Sequence, residues 1–178
     1  MLVYKDIWTK DDVLSNAFEV KSEYEDAMMS VVSKMINPDD LGKVDIGCGN
    51  EFGGGDEEEN DPNVVKVNNI INGFNLSEYI GSKKDVAGLF KKRIDEMREL
   101  LKDKPDRLKL WEKGGPVEQF VKYVFGKFDE CQFFMGSRYS PEDDEPKEGM
   151  FIIATWINDS DSGETFFYFK DCLKAEKC

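Results

Sequence analysis

The chain has 178 residues with 24 Lys+Arg against 37 Asp+Glu, four Cys and no His, long enough for one domain with a sizeable core. Without histidine, a Ser-His-Asp triad, a Cys-His dyad, an HExxH zinc site and a Cys2His2 finger are excluded. Cys48, Cys131, Cys172 and Cys178 never approach CxxC spacing, so the composition suits binding or regulation better than conventional enzyme chemistry.

In chain order, MLVYKDIWTKDD lacks the basic and apolar regions of a secretory signal, and a cytoplasmic location is expected. Leu2 to Trp8 reads as a strand, and Asp11-Asp12 with Ser15-Asn16 as a turn. Ala27 to Ile36 is a second strand, ended by Asn37-Pro38-Asp39. Residues 39–63 form an acidic stretch with six Gly and one basic residue, Lys43. It has too little apolar surface to offset its ordering entropy, which predicts a mobile loop. Within it Gly53-Gly54-Gly55 precedes Asp56-Glu57-Glu58-Glu59, and an acidic run repels phosphate, so this is no P-loop. Val64 to Ile71 resumes with β-branched residues.

Ser82 to Lys104 reads as a helix, capped by Ser82 with Asp85 three residues on and striped by Val86, Phe90, Ile94, Met97 and Leu101. Pro105 ends it. A second helix between Asp106 and Phe128 carries Val117, Val121, Val124 and Phe128 on one face, and Gly114-Gly115-Pro116 either breaks it or starts it at Pro116. Together, 82–128 form a helical hairpin. Cys131 to Met135 is a strand, and Met150 to Ile157 with Thr165 to Lys170 make a β-hairpin. The longest apolar run, Phe151 to Ile157, is far short of the roughly 20 residues that span a bilayer, so no membrane span is expected. The class is α+β: mostly antiparallel twisted sheets interrupted by one helical hairpin, in a single domain over 1–178.

Charge is uneven. Residues 82–127 hold 13 basic and 8 acidic side chains, a net of +5, and the remainder carries −18. A basic island in an acidic chain steers oppositely charged partners. Nucleic acid is not expected, because the acidic remainder opposes a polyanion. Asn158 to Phe169 has a glycine at the sixth place of an EF-hand loop but Phe169 where a bidentate Glu belongs, so it reads as a turn between strands.

Four strings resemble the translationally controlled tumour protein family, in order and at similar spacing: MLVYKDIWTKDDVLS, KPDRLKLWEKGGPVEQFVKYVFGKF, FDECQFFMG and FFYFKDCLKAEKC. Two departures stand out. The family's Ile-Gly-Gly-Asn-x-Ser run reads Ile46-Gly47-Cys48-Gly49-Asn50-Glu51-Phe52, without the serine, and the Glu usual after Met-Gly is Ser137.

The resemblance implies a β-tent fold and a cytosolic, growth-linked, anti-apoptotic binding protein without enzymatic chemistry, also secreted in some members. It implies calcium binding, association with tubulin and microtubules, and contacts with Rheb-class GTPases, elongation factors and apoptosis regulators. Asp11 and Asp12 align with the acidic turn implicated in GTPase contact, where a nucleotide-exchange role through Asp12 is the alternative reading. Lys83, Lys84, Lys91, Lys92, Arg93, Lys102, Lys104, Arg107, Lys109 and Lys113 fall in the segment implicated in tubulin binding. Asp56, Glu57, Glu58 and Glu59 are candidates for weak, diffuse calcium binding, the only cofactor considered. The terminal Cys178 matches a thiol that links an otherwise monomeric chain into a dimer under oxidising conditions.

Overall fold

A strand sends successive side chains to opposite faces, so Thr165–Phe169, apolar or aromatic after its first residue, needs cover on both sides. The computed structural model describes residues 2–37, 66–140, 142–158 and 161–177 and supplies that cover. The predicted 39–63 loop, Cys48, Asp56 to Glu59 and Cys178 lie outside the described residues.

The described strands are β1 (Leu2–Asp6), β2 (Asp12–Ser15), β3 (Lys21–Glu23), β4 (Met28–Val32), β5 (Met35–Ile36), β6 (Val67–Asn68), β7 (Ser77–Tyr79), β8 (Cys131–Met135), β9 (Ile152–Thr155), β10 (Thr165–Phe169) and β11 (Leu173–Lys177). They pair antiparallel into a six-stranded sheet ordered β3-β4-β10-β9-β8-β7, a three-stranded sheet ordered β11-β1-β2, and the short β5-β6 pair. The helices are α1 (Asn69–Phe74), α2 (Lys83–Leu100), α3 (Pro105–Leu108) and α4 (Pro116–Gly126).

The six-stranded sheet separates two cores. Phe133, Met135, Ile153, Phe167 and Phe169 pack with the helices, meeting Val86, Phe90, Met97, Trp111 and Phe120. Phe134, Ile152, Ala154, Phe166 and Tyr168 pack on the other side with Val13, Leu14 and Ile70. The helical side is an aromatic stack: Phe90 lies 5.0 Å from Phe151 and 5.9 Å from Phe169, and Phe120 lies 5.6 Å from Phe169 between ring centroids. Such contacts add to area burial.

The capping box forms as expected. The Asp85 amide donates to Ser82 Oγ at 3.1 Å, and the Ser82 amide donates to Asp85 Oδ2 at 3.2 Å. Proline starts α4, as its missing donor and fixed φ allow at a first helical position. Three expectations are corrected. The turn read at Asp11-Asp12 with Ser15-Asn16 holds only in part: the chain turns at Ile7–Thr9 and again at Asn16–Ala17, and Asp12–Ser15 between them is strand β2. In the described part of the β-branched stretch Val64 to Ile71, strand is found only at Val67–Asn68. Asn68 then caps α1, accepting from the Ile70 and Ile71 amides at 2.9 and 3.1 Å. The long first helix stops at Leu100, short of Lys104.

One clamp fixes the hairpin's turn to the sheet. Arg107 donates through Nε and Nη2 to the two Asp171 carboxylate oxygens at 2.8 and 2.9 Å, and through Nη1 and Nη2 to Asp26 Oδ2 and the Asp26 carbonyl at 3.2 and 2.9 Å. Trp111 Nε1 donates to Asp171 at 2.9 Å, and Lys170 Nζ to Asp26 at 2.7 Å. The anchored turn is costly by itself, because Tyr24, Glu25 and Asp26 all have left-handed φ, at 51°, 55° and 71°. The bond from Lys170, then that from Ser22, holds the Asp26 carboxyl below its usual range, and the bonds to Asp171 raise the Arg107 guanidinium further.

Candidate functional site

Two surfaces carry the predicted partner residues. The first surrounds the acidic pair. Asp11 is sealed, its side chain 3% exposed. Its carboxylate accepts from the Arg138 amide at 3.1 Å and Ser137 Oγ at 3.4 Å and pairs with Arg138 Nε at 3.3 Å. Arg138 also donates to the Thr9 carbonyl at 2.9 Å. A Cβ on Gly136 would land on this carboxylate, so the glycine permits the close approach. Asp12 differs: at 53% exposure it pairs with Lys5 Nζ at 2.6 Å on the surface. Of the two, only Asp12 is open to solvent, while Asp11 bonds to the 136–138 loop.

Asp12 borders a groove of about 970 Å³ between the β1–β2 edge, α1, β5 and the 137–138 loop. Its apolar lining includes Val3, Phe18, Ile36 and Phe74, with the Phe18 and Phe74 rings 5.7 Å apart. Lys5, Lys10, Lys34 and Arg138 line it as well. Nothing in the sequence pattern pointed to this groove, because its walls come from four segments far apart along the chain.

The second surface is the hairpin. Val86, Leu89, Phe90, Arg93 and Met97 bury one side of α2, so at 3.6 residues per turn Lys84 and Lys91 share the opposite side, and Lys102 lies in the turn beyond the helix end. Lys83, Lys84, Lys91, Lys92, Lys102, Lys104, Lys109 and Lys113 are all exposed. Lys102 pairs with Glu99 at 2.9 Å, and Lys83 Nζ lies 5.9 Å from the Phe125 ring centroid. The two arginines expected on this face are used internally. Arg93 is buried, donating to the Gly149 carbonyl at 3.0 Å, the Glu148 carbonyl at 2.6 Å and Glu96 at 2.9 Å, and its guanidinium lies 4.4 Å from the Trp8 ring centroid. Arg107 forms the clamp. Their spacing in sequence matches the lysines, and only packing separates them.

Among the described residues, thiol and metal chemistry find little footing. Burial pushes the Cys172 thiol well above its ordinary value, reinforced by Asp6 and Asp171. Burial also raises Cys131, an effect the hydrogen bond with Thr155 opposes. Neither supplies an activated thiolate. Among the described residues no group of three or more Cys, Asp or Glu side chains is arranged to hold a metal, and no helix is long and apolar enough to cross a membrane.

Comparison with known proteins agrees with this geometry. The family model for translationally controlled tumour protein matches residues 1–174. A translationally controlled tumor protein homolog of Theileria parva is 31% identical over 99% of both chains, and one of Schizosaccharomyces pombe is 28% identical over 99% of both. Among solved structures, the translationally controlled tumor-associated protein of Schizosaccharomyces pombe superposes over the full length of both chains with a TM-score of 0.73 at 26% identity. The Caenorhabditis elegans protein gives 0.61 at 23% identity, over 100% of this chain and 99% of its own, a likeness of fold. The chain belongs to the translationally controlled tumour protein family.

Proposed function

We propose that this protein is a cytosolic multi-partner binding protein that works without catalysing a reaction, joining tubulin and microtubules through the outer face of the helical hairpin and a Rheb-class GTPase through Asp12. The observation that supports it most is the sorting of charge on the hairpin. Arg93 and Arg107 are consumed by the fold, while Lys84, Lys91 and Lys92 face outward with no carboxylate partner among the described residues. Unpaired surface cations attract the acidic surface of tubulin and lose that attraction as salt screens it. Contacts with elongation factors or apoptosis regulators, and growth regulation, fit the same mode of action. Weak calcium binding is assigned to Asp56, Glu57, Glu58 and Glu59, and an oxidised dimer to Cys178.

Co-sedimentation with microtubules tests the main contact. Lys84→Glu/Lys91→Glu is expected to reduce binding severalfold at low salt, and wild-type binding to fade as salt rises. Salt-independent binding that survives the double reversal refutes it.

A nucleotide-exchange role is favoured by one observation, the exposure of Asp12 beside a groove. An exposed carboxylate there can compete for the GTPase's magnesium or hold its phosphate-loop lysine. Release of fluorescent nucleotide from a Rheb-class GTPase, accelerated by the wild type and not by Asp12→Ala, is the expected result. No acceleration at saturating protein leaves a binding role alone.

A further inference from the structure

The groove beside Asp12 has a charge that neither contact above uses. Two carboxylates line it, and both have cationic partners: Asp11 with Arg138, and Asp12 with Lys5. Four cations line it, Lys5, Lys10, Lys34 and Arg138, leaving the groove at +2 in a chain of −13. The excess sits on Lys10 and Lys34. Both are exposed, and the only hydrogen bond Lys10 Nζ makes among the described residues is to the Ile7 carbonyl at 2.8 Å. In the same lining the half-buried Phe18, Ile36 and Phe74 leave apolar surface open to an occupant.

We infer that this groove docks a short acidic segment of a partner protein, with an aromatic or aliphatic side chain seated on Phe18 and Phe74 and flanking carboxylates on Lys10 and Lys34. Three considerations select that occupant. Exposed cations and apolar side chains in one lining match an acidic segment with an apolar anchor, because each alone attracts only half of it. A volume of about 970 Å³ is at the upper end of single small-molecule sites, roughly 300–1,000 Å³, and suits several residues of extended chain. A nucleic acid is disfavoured because the strongly acidic remainder of the protein repels a long polyanion, whereas a short segment senses mainly its own site within a screening length of about 8–10 Å. The inference goes beyond both contacts proposed above and can fail with either intact.

Fluorescence anisotropy on the full chain tests it, using as probe a fluorescein-labelled synthetic peptide with a Phe-Leu pair between Glu triplets. Controls replace Glu by Lys, or Phe-Leu by Ser-Ser. The acidic probe is expected to bind and both controls to bind at least severalfold more weakly. Lys10→Glu/Lys34→Glu weakens the probe by about tenfold, and Lys34→Glu alone, on an exposed side chain with an unchanged melting temperature, weakens it part-way. Asp12→Asn, which removes a negative charge from the lining, tightens the probe while it impairs a GTPase contact, so the two readings move in opposite directions. The inference is overturned if Lys84→Glu/Lys91→Glu weakens the probe as much as the groove reversal does, since the peptide then lies on the hairpin. It is equally overturned if a single-stranded oligonucleotide of matched charge competes with equal affinity, or if sedimentation shows that a second copy of the chain fills the groove.

Discussion

Replacing Arg107 by Met separates a structural arginine from a partner-binding one. An exposed ion pair contributes about 0.2–1 kcal/mol, whereas removing one partner of a buried pair costs about 3–5 kcal/mol. The Arg107–Asp171 pair lies between these limits, with side chains 26% and 11% exposed. The substitution also removes two bonds to Asp26, which helps hold three left-handed residues. Trp111 Nε1 still reaches Asp171, which limits the loss, and about 2–3 kcal/mol is expected. With a urea dependence of ~2 kcal/mol/M, the midpoint falls by roughly 1 to 1.5 M. Trp111, buried in the helix-side core, is a direct fluorescence reporter. A double-mutant cycle with Asp171→Asn should return a coupling above about 1 kcal/mol, since the residues touch. Under native conditions the folded Arg107→Met protein should bind microtubules as the wild type does. A stability loss below about 0.5 kcal/mol refutes the clamp, and loss of microtubule binding by a fully folded variant refutes its exclusion from the outer face.

Other consequences are equally concrete. Burial, then Glu78, raises the Glu164 carboxyl above its ordinary value, so folding disfavours its charged form and stability falls as pH rises through the window above the usual Glu range. Glu164→Gln should therefore raise the urea midpoint at pH 7, with the gain vanishing below about pH 4; a gain independent of pH refutes this. With Cys172 buried, Cys131 half-buried and both thiols raised, any fast phase with an aromatic disulfide reagent should disappear in Cys48→Ser/Cys178→Ser, and its persistence would place reactivity on a thiol that burial disfavours. Gly136→Ala forces a methyl onto the Asp11 carboxylate and should cost about 1–3 kcal/mol, read by chemical denaturation. A neutral result there would mean that the 136–138 loop moves freely.

Much of the fold is legible locally because the local signals are unopposed. The Ser82–Asp85 cap, the α2 stripe and proline at the start of α4 each satisfy backbone groups or bury a face within one element, and tertiary packing agrees with them. Cys131–Met135 is a strand at the bounds its aromatic run suggests. Where reading failed, a competing principle prevailed. Ile70 and Ile71 favour strand by propensity, yet Asn68 caps and left-handed Asn75 at φ 53° closes a helix around them. Strand β11, LKAEK, is nearly all exposed and carries no apolar alternation. Its position is set by antiparallel pairing with β1, from Leu2 opposite Lys177 to Asp6 opposite Leu173.

The candidate surfaces divide in the same way. By itself the sequence determined the absence of histidine-dependent chemistry, the basic island at 82–127 and the family, since composition and ordered strings need no coordinates. Only the tertiary structure decided which charges are available. Ten basic side chains look equivalent along the hairpin, and packing turned Arg93 and Arg107 inward, where a planar guanidinium can satisfy several carbonyls and carboxylates at once. Asp11 and Asp12 are neighbours in the chain, but Asp11 precedes strand β2 and is sealed against the 136–138 loop, whereas Asp12, the first residue of that strand, is open to solvent. The groove beside them exists only once four distant segments meet, because a concave surface is a property of assembled elements and of no single stretch of sequence.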